Sequence, residues 1–266
     1  MISFRMLRDV WAFRGFITAN VKRNLHSRYK NTQFGLAWTI LQPLAMILIY
    51  TVVFAGLMKP ALPGHDSKFA YSIYLCSGVL TWGFFSELLS GCVGVFVQNA
   101  NLIKKISFPR LCLPIIVILT SLINFAIVMG LFLVFLIVSG NFPGLAILGF
   151  FPVLLILVGF SVGLGIFLGT INVFYRDVEQ TLNVVLQFWF WLTPIVYVTK
   201  TLPDFIAHIM ALNPMWPIVR AMHTIFLEAQ FPDWQDLIYP ACLALIFLYA
   251  GVYAFWKLGG ELVDEL

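Results

Sequence analysis

The stretch Leu111–Val138, LCLPIIVILTSLINFAIVMGLFLVFLIV, carries no charged side chain along its whole length. A helix needs about 20 apolar residues to cross the hydrocarbon core of a bilayer, so this stretch is long enough to span one. It must be helical, because lipid offers no partner to an unpaired backbone group and the stretch is too long for a barrel strand. The sequence therefore predicts a membrane-spanning helix here.

Five further apolar stretches are long enough to span a bilayer. The chain as a whole is 61% hydrophobic and 11% charged, whereas a soluble domain is about 25% charged. We predict an all-α polytopic membrane protein with six transmembrane helices, in which residues 36–258 form one domain, and a soluble globule is excluded. The other five predicted spans are Leu36–Met58, Tyr71–Val97, Ala146–Ile171, Gln180–Val198 and Leu237–Trp256.

The basic residues predict the orientation of these spans. Most of the 16 Lys and Arg residues precede the first span or lie in the segments that follow the second, fourth and sixth spans. Because basic loops stay in the cytoplasm, both termini are expected there, with residues 259–266 as a short tail. The first apolar stretch is too long for a cleavable signal peptide, so the N-terminus is expected to be retained.

Residues 1–35 form a separate predicted element. An apolar stripe recurs there at helical spacing, and the basic residues lie off it. This pattern favours a cytoplasmic amphipathic helix on the membrane surface, and a helix packed on a protein is the alternative. The stripe consists of Val10, Phe13, Ile17, Val21 and Leu25.

The segment Thr199–Asp236, between spans five and six, contains two apolar pieces that are too short to span. They are Ile206–Leu212 and Ile218–Ala229, and prolines separate them. We predict two short re-entrant helices on the outer side, with a structured loop as the alternative.

Several kinds of chemistry are missing from the sequence. It has no G-x-x-x-x-G-K-[ST] motif, and so no loop that could cradle nucleotide phosphates. It also lacks the H-E-x-x-H and G-x-S-x-G motifs, and its four cysteines have no metal-type spacing. The chain is not expected to be an enzyme, to hold a metal or cofactor, or to bind nucleic acid.

Uncharged polar and aromatic residues recur at i, i+3 and i+4 within spans one, two and five. Such groups suit a sugar chain, because rings stack on sugar C–H faces while amides and hydroxyls bind its hydroxyls. Hydrogen bonding between helices uses the same residue types and is the alternative. In Phe188–Trp191, four consecutive rings cover most of a helix circumference, so only one or two can face a channel.

Two further features concern packing inside the membrane. Glu87 is the one ionisable residue well inside a predicted span, and we expect it to hydrogen-bond across a helix contact; a proton relay is the alternative. Gly159-xxx-Gly163 and Gly165-xxx-Gly169 in span four predict close helix packing.

The segment Gln98–Arg110, QNANLIKKISFPR, lies on the predicted cytoplasmic side and is basic and amphipathic. A short helix across this face is what a motor subunit would grip. A linker attracted to anionic lipid is the alternative.

Seven short motifs follow one another along the chain. They are Arg28-Tyr29-Lys30, Gly35 with Trp38 and Gln42-Pro43-Leu44, Asn101–Lys105 with Phe108-Pro109-Arg110, Leu113-Pro114, Phe174–Asp177, Thr193–Tyr197 and Asn213-Pro214. Through these motifs, taken in order, the whole chain resembles the membrane subunit of the type-2 ABC exporters for O-antigen and capsular polysaccharides. The sequence departs from the family pattern at Asn24 and Leu111, where acids are common, so salt bridges are not expected there.

The resemblance implies a homodimer of this chain with two separate ABC ATPase subunits, which would hold ATP and Mg. It implies a channel through the bacterial inner membrane for an undecaprenyl-linked polysaccharide, O-antigen rather than capsule. A permease for teichoic acid or a small hydrophobic drug, an ion-coupled lipid-glycan flippase and a membrane glycosyltransferase are the alternatives.

The resemblance also assigns roles to individual residues. Trp38, Phe85 and Trp191 are favoured for the channel lining. The full set of channel candidates is Trp38, Gln42, Tyr50, Tyr74, Trp82, Phe85, Gln187, Trp191 and Tyr197; the residues expected to couple to the ATPase are Asn101, Leu102, Lys104, Lys105, Phe108 and Arg110; and those expected to form a gate or brace are Arg28, Glu87, Arg176 and Asp177.

Overall fold

A computed structural model of the chain describes residues 8, 10–27, 37–52, 69–105, 108–197, 210, 212–258 and 265. The regular secondary structure of these residues is helical. The helices are α1 (Arg14–Ser27), α2 (Trp38–Tyr50), α3 (Ala70–Gln98), α4 (Ala100–Lys105), α5 (Cys112–Val138), α6 (Phe150–Phe174), α7 (Asp177–Leu192), α8 (Met215–Phe226) and α9 (Ile238–Leu258), and a 3-10 helix, Gly144–Gly149, leads into α6.

Four of the six predicted spans are confirmed as helices long and apolar enough to cross a membrane. Their ends agree with the sequence prediction to within three residues, because an apolar stretch is a local property that hydropathy reads directly. These four are Ala70–Gln98, Cys112–Val138, Gly144–Phe174 and Ile238–Leu258.

The first and fifth predicted spans are not confirmed. Helix α2 covers part of the first, but residues 53–68 lie outside the described residues. Helix α7 has 16 residues, which at 1.5 Å per residue reach about 24 Å, less than the ~30 Å of a hydrocarbon core. The prediction that this helix continues to Val198 is wrong, because it ends at Leu192.

Helix α3 is the centre of the subunit. Of the four candidate spans it is the least hydrophobic and the most buried, with 67% of its apolar window inside the protein against 22% for α9. Phe85, Leu88, Leu89 and Cys92 on α3 have no exposed surface. The buried Ser72, Ser77 and Thr81 of α3 therefore belong to helix contacts rather than to a lipid-facing surface.

Helix α6 packs against α3 on one side and α9 on the other, and the two predicted glycine pairs explain how. A Cβ on Gly163 would lie 2.4 Å from the backbone nitrogen of Leu248 on α9. On the opposite face, a Cβ on Gly165 would lie 2.5 Å from the Cβ of Cys92 on α3. A Cβ on Gly169 would lie 2.6 Å from the carbonyl oxygen of Cys92. The predicted close packing is confirmed, because only glycine lets these backbones approach so far.

The N-terminal stripe packs on the protein itself. Ile17 and Val21 of α1 are buried against Cys112 and Ile116 at the start of α5. The prediction that this stripe faces lipid is therefore wrong at Ile17 and Val21, since α5 offers them an apolar partner within the same chain. Val10, Phe13 and Leu25 of the stripe are partly buried in the same cluster.

Helix α8 corresponds to the second piece predicted between spans five and six. It begins after Pro214, whose fixed φ suits a helix start, and ends at Phe226, three residues before the left-handed Ala229. Its inner face is fully buried: Met215, Ile218, Val219 and Met222 have no exposed surface. Of the first piece, Ile206–Leu212, only residues 210 and 212 are described, so both re-entrant assignments stay predictions.

Candidate functional site

A break in the chain after α7 forms the first part of the candidate site. Thr193 has an extended conformation, with φ −104° and ψ 128°. Pro194 explains it, because proline lacks an N–H and disfavours a helical residue before it. Residues 193–197 consequently have backbone carbonyls that no helix satisfies, which is costly away from water.

Two tyrosines on α3 reach three of these five carbonyls. Tyr71 Oη donates to the Val196 carbonyl at 2.6 Å, and Tyr74 Oη lies 2.8 Å from the Tyr197 carbonyl and 3.2 Å from that of Pro194. Tyr197 Oη in turn donates to the Trp191 carbonyl at 2.7 Å. The broken end of α7 is therefore fixed to the central helix.

Asn213 fastens the same break to α8. Its Oδ1 accepts from Trp189 Nε1 at 2.7 Å and from the Met215 backbone N–H at 3.0 Å. Its Nδ2 donates to Thr193 Oγ1 at 2.9 Å and to the Leu192 carbonyl at 3.2 Å. We call these four hydrogen bonds the Asn213 clasp, and they join the end of α7 to the start of α8.

Helix α7 is buried along one face only. Leu182 and Leu186 are buried, and Trp189 and Phe190 turn inward, where both rings meet Trp82 edge-on. The opposite face exposes Trp191 and Phe188, at 64% and 68%, together with Gln187. Of the four consecutive rings, two are thus exposed, as the helical geometry requires.

Three channel candidates on α3 are interior residues of the subunit. Phe85 has no exposed surface, and its ring lies 5.8 Å from Phe160 and 5.2 Å from Trp189. Trp82 and Tyr74 are 7% and 8% exposed. Their assignment to a channel lining is wrong for this conformation, because neighbouring helices occupy the space that a glycan would need.

The candidates on α2 lie at the edge of the subunit. Trp38 is 38% exposed, and Gln42 lines a groove of about 420 Å³ between α2, α3 and α5. Deeper in that groove, Asn124 Nδ2 of α5 donates to Glu87 Oε2 at 2.9 Å, so the predicted hydrogen bond of Glu87 across a helix contact is confirmed. The side chain of Tyr50 and all of Arg28 lie outside the described residues.

The predicted coupling segment contains the short helix α4. Asn101, Lys104 and Lys105 are exposed and Leu102 is half-buried. The Phe108 ring packs at a tilt against Phe16, just ahead of Ile17 in α1, with 5.1 Å between ring centroids, and Arg110 is half-buried. A basic helix is thus presented on the surface, close to where Phe108 contacts α1.

A polar contact joins the end of α3, next to α4, to the first turn of α7. Gln98 Nε2 donates to Glu179 Oε1 at 3.2 Å, and the Glu179 backbone N–H donates to Asn172 Oδ1 at 3.1 Å. Asn172 Nδ2 donates to the Val93 carbonyl at 3.3 Å. Gly94 makes room, since a Cβ there would lie 2.3 Å from Gln98 Nε2.

This contact corrects the predicted brace. Arg176 and Asp177 are both exposed, and neither forms an ion pair within the described part of the chain. The brace is made instead by Glu179, Gln98 and Asn172, which the sequence analysis missed. Part of their signal was available: Gln98 and Asn172 are amides near the ends of the long apolar helices α3 and α6.

Comparisons with known proteins identify one family. The profile of the ABC-2 type transporter family matches residues 16–227. The O-antigen export system permease protein RfbA of Myxococcus xanthus is 30% identical over 264 residues, which are 98% of this chain and 99% of that protein. An RfbA of Klebsiella pneumoniae is 27% identical over 85% of this chain and 86% of its own length. The polysialic acid transport protein KpsM of Escherichia coli is 20% identical over 86% of this chain and 88% of its own length.

Proposed function

This chain belongs to the ABC-2 type transporter family, and on that premise we propose that it is the membrane subunit of an ATP-driven exporter for a lipid-linked polysaccharide. The observation that carries the proposal is the extent of the similarity: a protein named as an O-antigen export permease aligns with 98% of the chain. O-antigen is the favoured cargo, because identity to that protein is 30% and to the polysialic acid transporter 20%.

The exposed face of α7 is the proposed path of the glycan. Gln187 and Trp191 lie on it, one turn apart, and offer an amide and a ring without any fixed charge. Sugars bind such surfaces through stacking and hydroxyl hydrogen bonds. Trp38, Gln42 and Tyr197, which are not buried, remain channel candidates with them.

A single copy offers only one wall of such a channel, so the proposal includes a second copy of the chain. It also includes six spans, with α2 and α7 as parts of the first and fifth, both termini in the cytoplasm of a bacterial inner membrane, and an undecaprenyl carrier on the glycan. Arg28 and Glu87 are proposed gate residues.

The energy source is proposed to be a pair of separate ABC ATPase subunits, which would hold ATP and Mg. The sequence has no phosphate-binding loop of its own. The surface helix α4 presents Lys104 and Lys105 beside α1, and its link through Gln98 to Glu179 would carry movement of α4 to the start of α7.

The test is co-expression of the chain with a candidate ABC ATPase subunit, in a strain that has lost polysaccharide export. We expect the wild type to restore surface polysaccharide, and the double variant Lys104→Glu/Lys105→Glu to hydrolyse ATP without restoring it. The matched control is Lys257→Glu, which reverses the charge of another exposed lysine, at the end of α9. This variant should export polysaccharide normally.

Two outcomes would contradict the proposal. If the wild-type chain moves polysaccharide without any ATPase, the transporter is driven in another way. If the double variant exports as well as the Lys257 control, α4 is not the coupling helix.

A further inference from the structure

A second polar cavity lies away from α7, between the first turns of α8 and the start of α9. It has a volume of about 320 Å³, which is at the small end of the range for ligand sites and suits one or two sugar rings rather than a long chain. We call it the α8–α9 pocket. It is lined by Trp216, Pro217, Arg220, Gln235, Asp236 and Tyr239.

The charged residues show that the α8–α9 pocket faces water. Arg220 Nη1 lies 3.0 Å from Asp236 Oδ2, and their side chains are 62% and 42% exposed. A charged pair this exposed is not stable against hydrocarbon. The positive-inside orientation proposed above puts the pocket on the outer face, where an exported glycan leaves the membrane.

The walls of the pocket are fixed before any ligand arrives. The buried inner face of α8 leaves Trp216 and Arg220, one turn apart, on its outer face. Asp233 Oδ1 accepts a hydrogen bond from the Gln235 backbone N–H at 2.9 Å, which shapes the loop before α9. Leu237, at the end of this loop, is buried and only 2% exposed. Tyr239 Oη donates to the Leu212 carbonyl at 2.9 Å, which fixes its ring.

The lining matches the surface of a sugar. Trp216 and Tyr239 provide ring faces for stacking. Arg220 has unused N–H donors and Asp236 unused lone pairs, side by side, and neighbouring sugar hydroxyls can use both because each hydroxyl donates and accepts. The opposite charges of Arg220 and Asp236 cancel, so the pocket offers an acidic sugar no net electrostatic attraction beyond what it offers a neutral one.

We propose that the α8–α9 pocket binds one neutral hexose unit of the exported glycan as the chain emerges. This inference rests on the proposed function, because the glycan class comes from there. Binding must be weak, since a site on a transport path has to release what it holds. We expect a Kd on the order of 1 mM for a single unit.

Binding is measured by saturation-transfer NMR on the full-length chain in nanodiscs, with methyl α-mannopyranoside and methyl α-galactopyranoside as neutral probes and methyl β-glucuronide as the acidic one. We expect at least one neutral probe to bind in the millimolar range and the acidic probe to bind less tightly. Trp216→Ala and Arg220→Gln should each raise the Kd roughly tenfold, an amount of ~1.4 kcal/mol.

The matched control is Trp234→Ala, which removes another exposed tryptophan, four residues before α9, that does not line the pocket. It should leave the Kd within about twofold, a change of less than ~0.5 kcal/mol. Thermal unfolding of each variant shows whether it is folded; if Trp216→Ala is not, Arg220→Gln decides.

Binding of no neutral probe by the wild type, or an equal loss in the Trp234 control, overturns the inference. Rescue of export by the same wild-type chain distinguishes the two proposals. If export is rescued but no probe binds, the pocket assignment fails and the exporter stands. If export is not rescued with the ATPase present, the exporter fails.

Discussion

The Asn213 clasp should be a main source of stability at the broken end of α7. Replacing Asn213 by Leu removes the amide and therefore all four of its hydrogen bonds. An indole N–H, a backbone N–H and a backbone carbonyl then lose their partner at once. The free energy of unfolding should fall, because such groups have few other partners inside a membrane protein.

The size of the loss follows from the number of bonds. A hydrogen bond contributes about 1 kcal/mol net in proteins and about 0.6 kcal/mol on average between membrane helices. Four bonds therefore predict a loss of about 2–4 kcal/mol. The Trp189 bond alone should account for about 0.6–1 kcal/mol of it.

A double-mutant cycle isolates that bond from changes in packing. Asn213→Leu, Trp189→Phe and the double variant are unfolded by SDS in mixed micelles, with circular dichroism as the signal. The coupling energy between the two positions should be about 0.6–1 kcal/mol. Asn183→Leu, at an exposed asparagine of α7, is the control and should change the unfolding free energy by less than about 0.5 kcal/mol.

Two results would refute this reasoning. Additive effects, within about 0.3 kcal/mol, would show that the Trp189–Asn213 bond contributes nothing. A loss at Asn213 no larger than that at Asn183 would show that the clasp as a whole is not stabilising.

The remaining predictions concern the brace, the helix packing and one buried histidine. Glu179→Leu should lower the unfolding free energy by about 1 kcal/mol and reduce export more than ATP hydrolysis, while Arg176→Leu, at an exposed neighbour, should do neither. Gly163→Val should lower the free energy of unfolding by at least about 3 kcal/mol, because the added Cβ would lie 2.4 Å from a backbone nitrogen of α9. The control is Gly130→Val, at a site with nothing within 4 Å, which should be tolerated in the same SDS titration. Burial holds the pKa of His223 at about 3, below its ordinary 6.5, so unfolding takes up a proton and wild-type stability should fall between pH 6.5 and about 3 by up to ~1.4 kcal/mol per pH unit. A His223→Gln variant that lost stability just as steeply over that range would contradict this assignment.

The four confirmed spans were predictable because hydropathy is read from neighbouring residues alone. The end of α7 was not predicted, although Pro194 was visible, because aromatic and aliphatic residues continue past it to Val198. Pro194 disfavours the helix, but the groups that stabilise the break are visible only in three dimensions, where Tyr71, Tyr74 and Asn213 come within reach of the freed carbonyls.

The channel candidates failed on α3 for a different reason. A polar and aromatic stripe has the same spacing whether it meets a glycan or another helix, so the pattern around Phe85 fitted both interpretations. The sequence did contain a clue: α3 is the least hydrophobic of the four confirmed spans. In a bundle that buries its small polar residues, this marks the central helix rather than a channel wall.

The way each helix is held indicates which of them can move during transport. Helix α6 meets α3 and α9 through glycines at backbone distance, and separating those surfaces would open close-packed contacts along several turns. Helix α7 has only Leu182 and Leu186 fully buried, and polar contacts hold its two ends, Glu179 at one and Asn213 at the other. The other end packs the Trp189 and Phe190 rings on the core, but at the Glu179 end a shift exchanges a few hydrogen bonds of about 1 kcal/mol each, a far smaller barrier than repacking a core. We therefore expect α7, the helix on the proposed glycan path, to shift on a fixed frame of α3, α6 and α9, with Glu179 as the end that responds first when α4 is displaced.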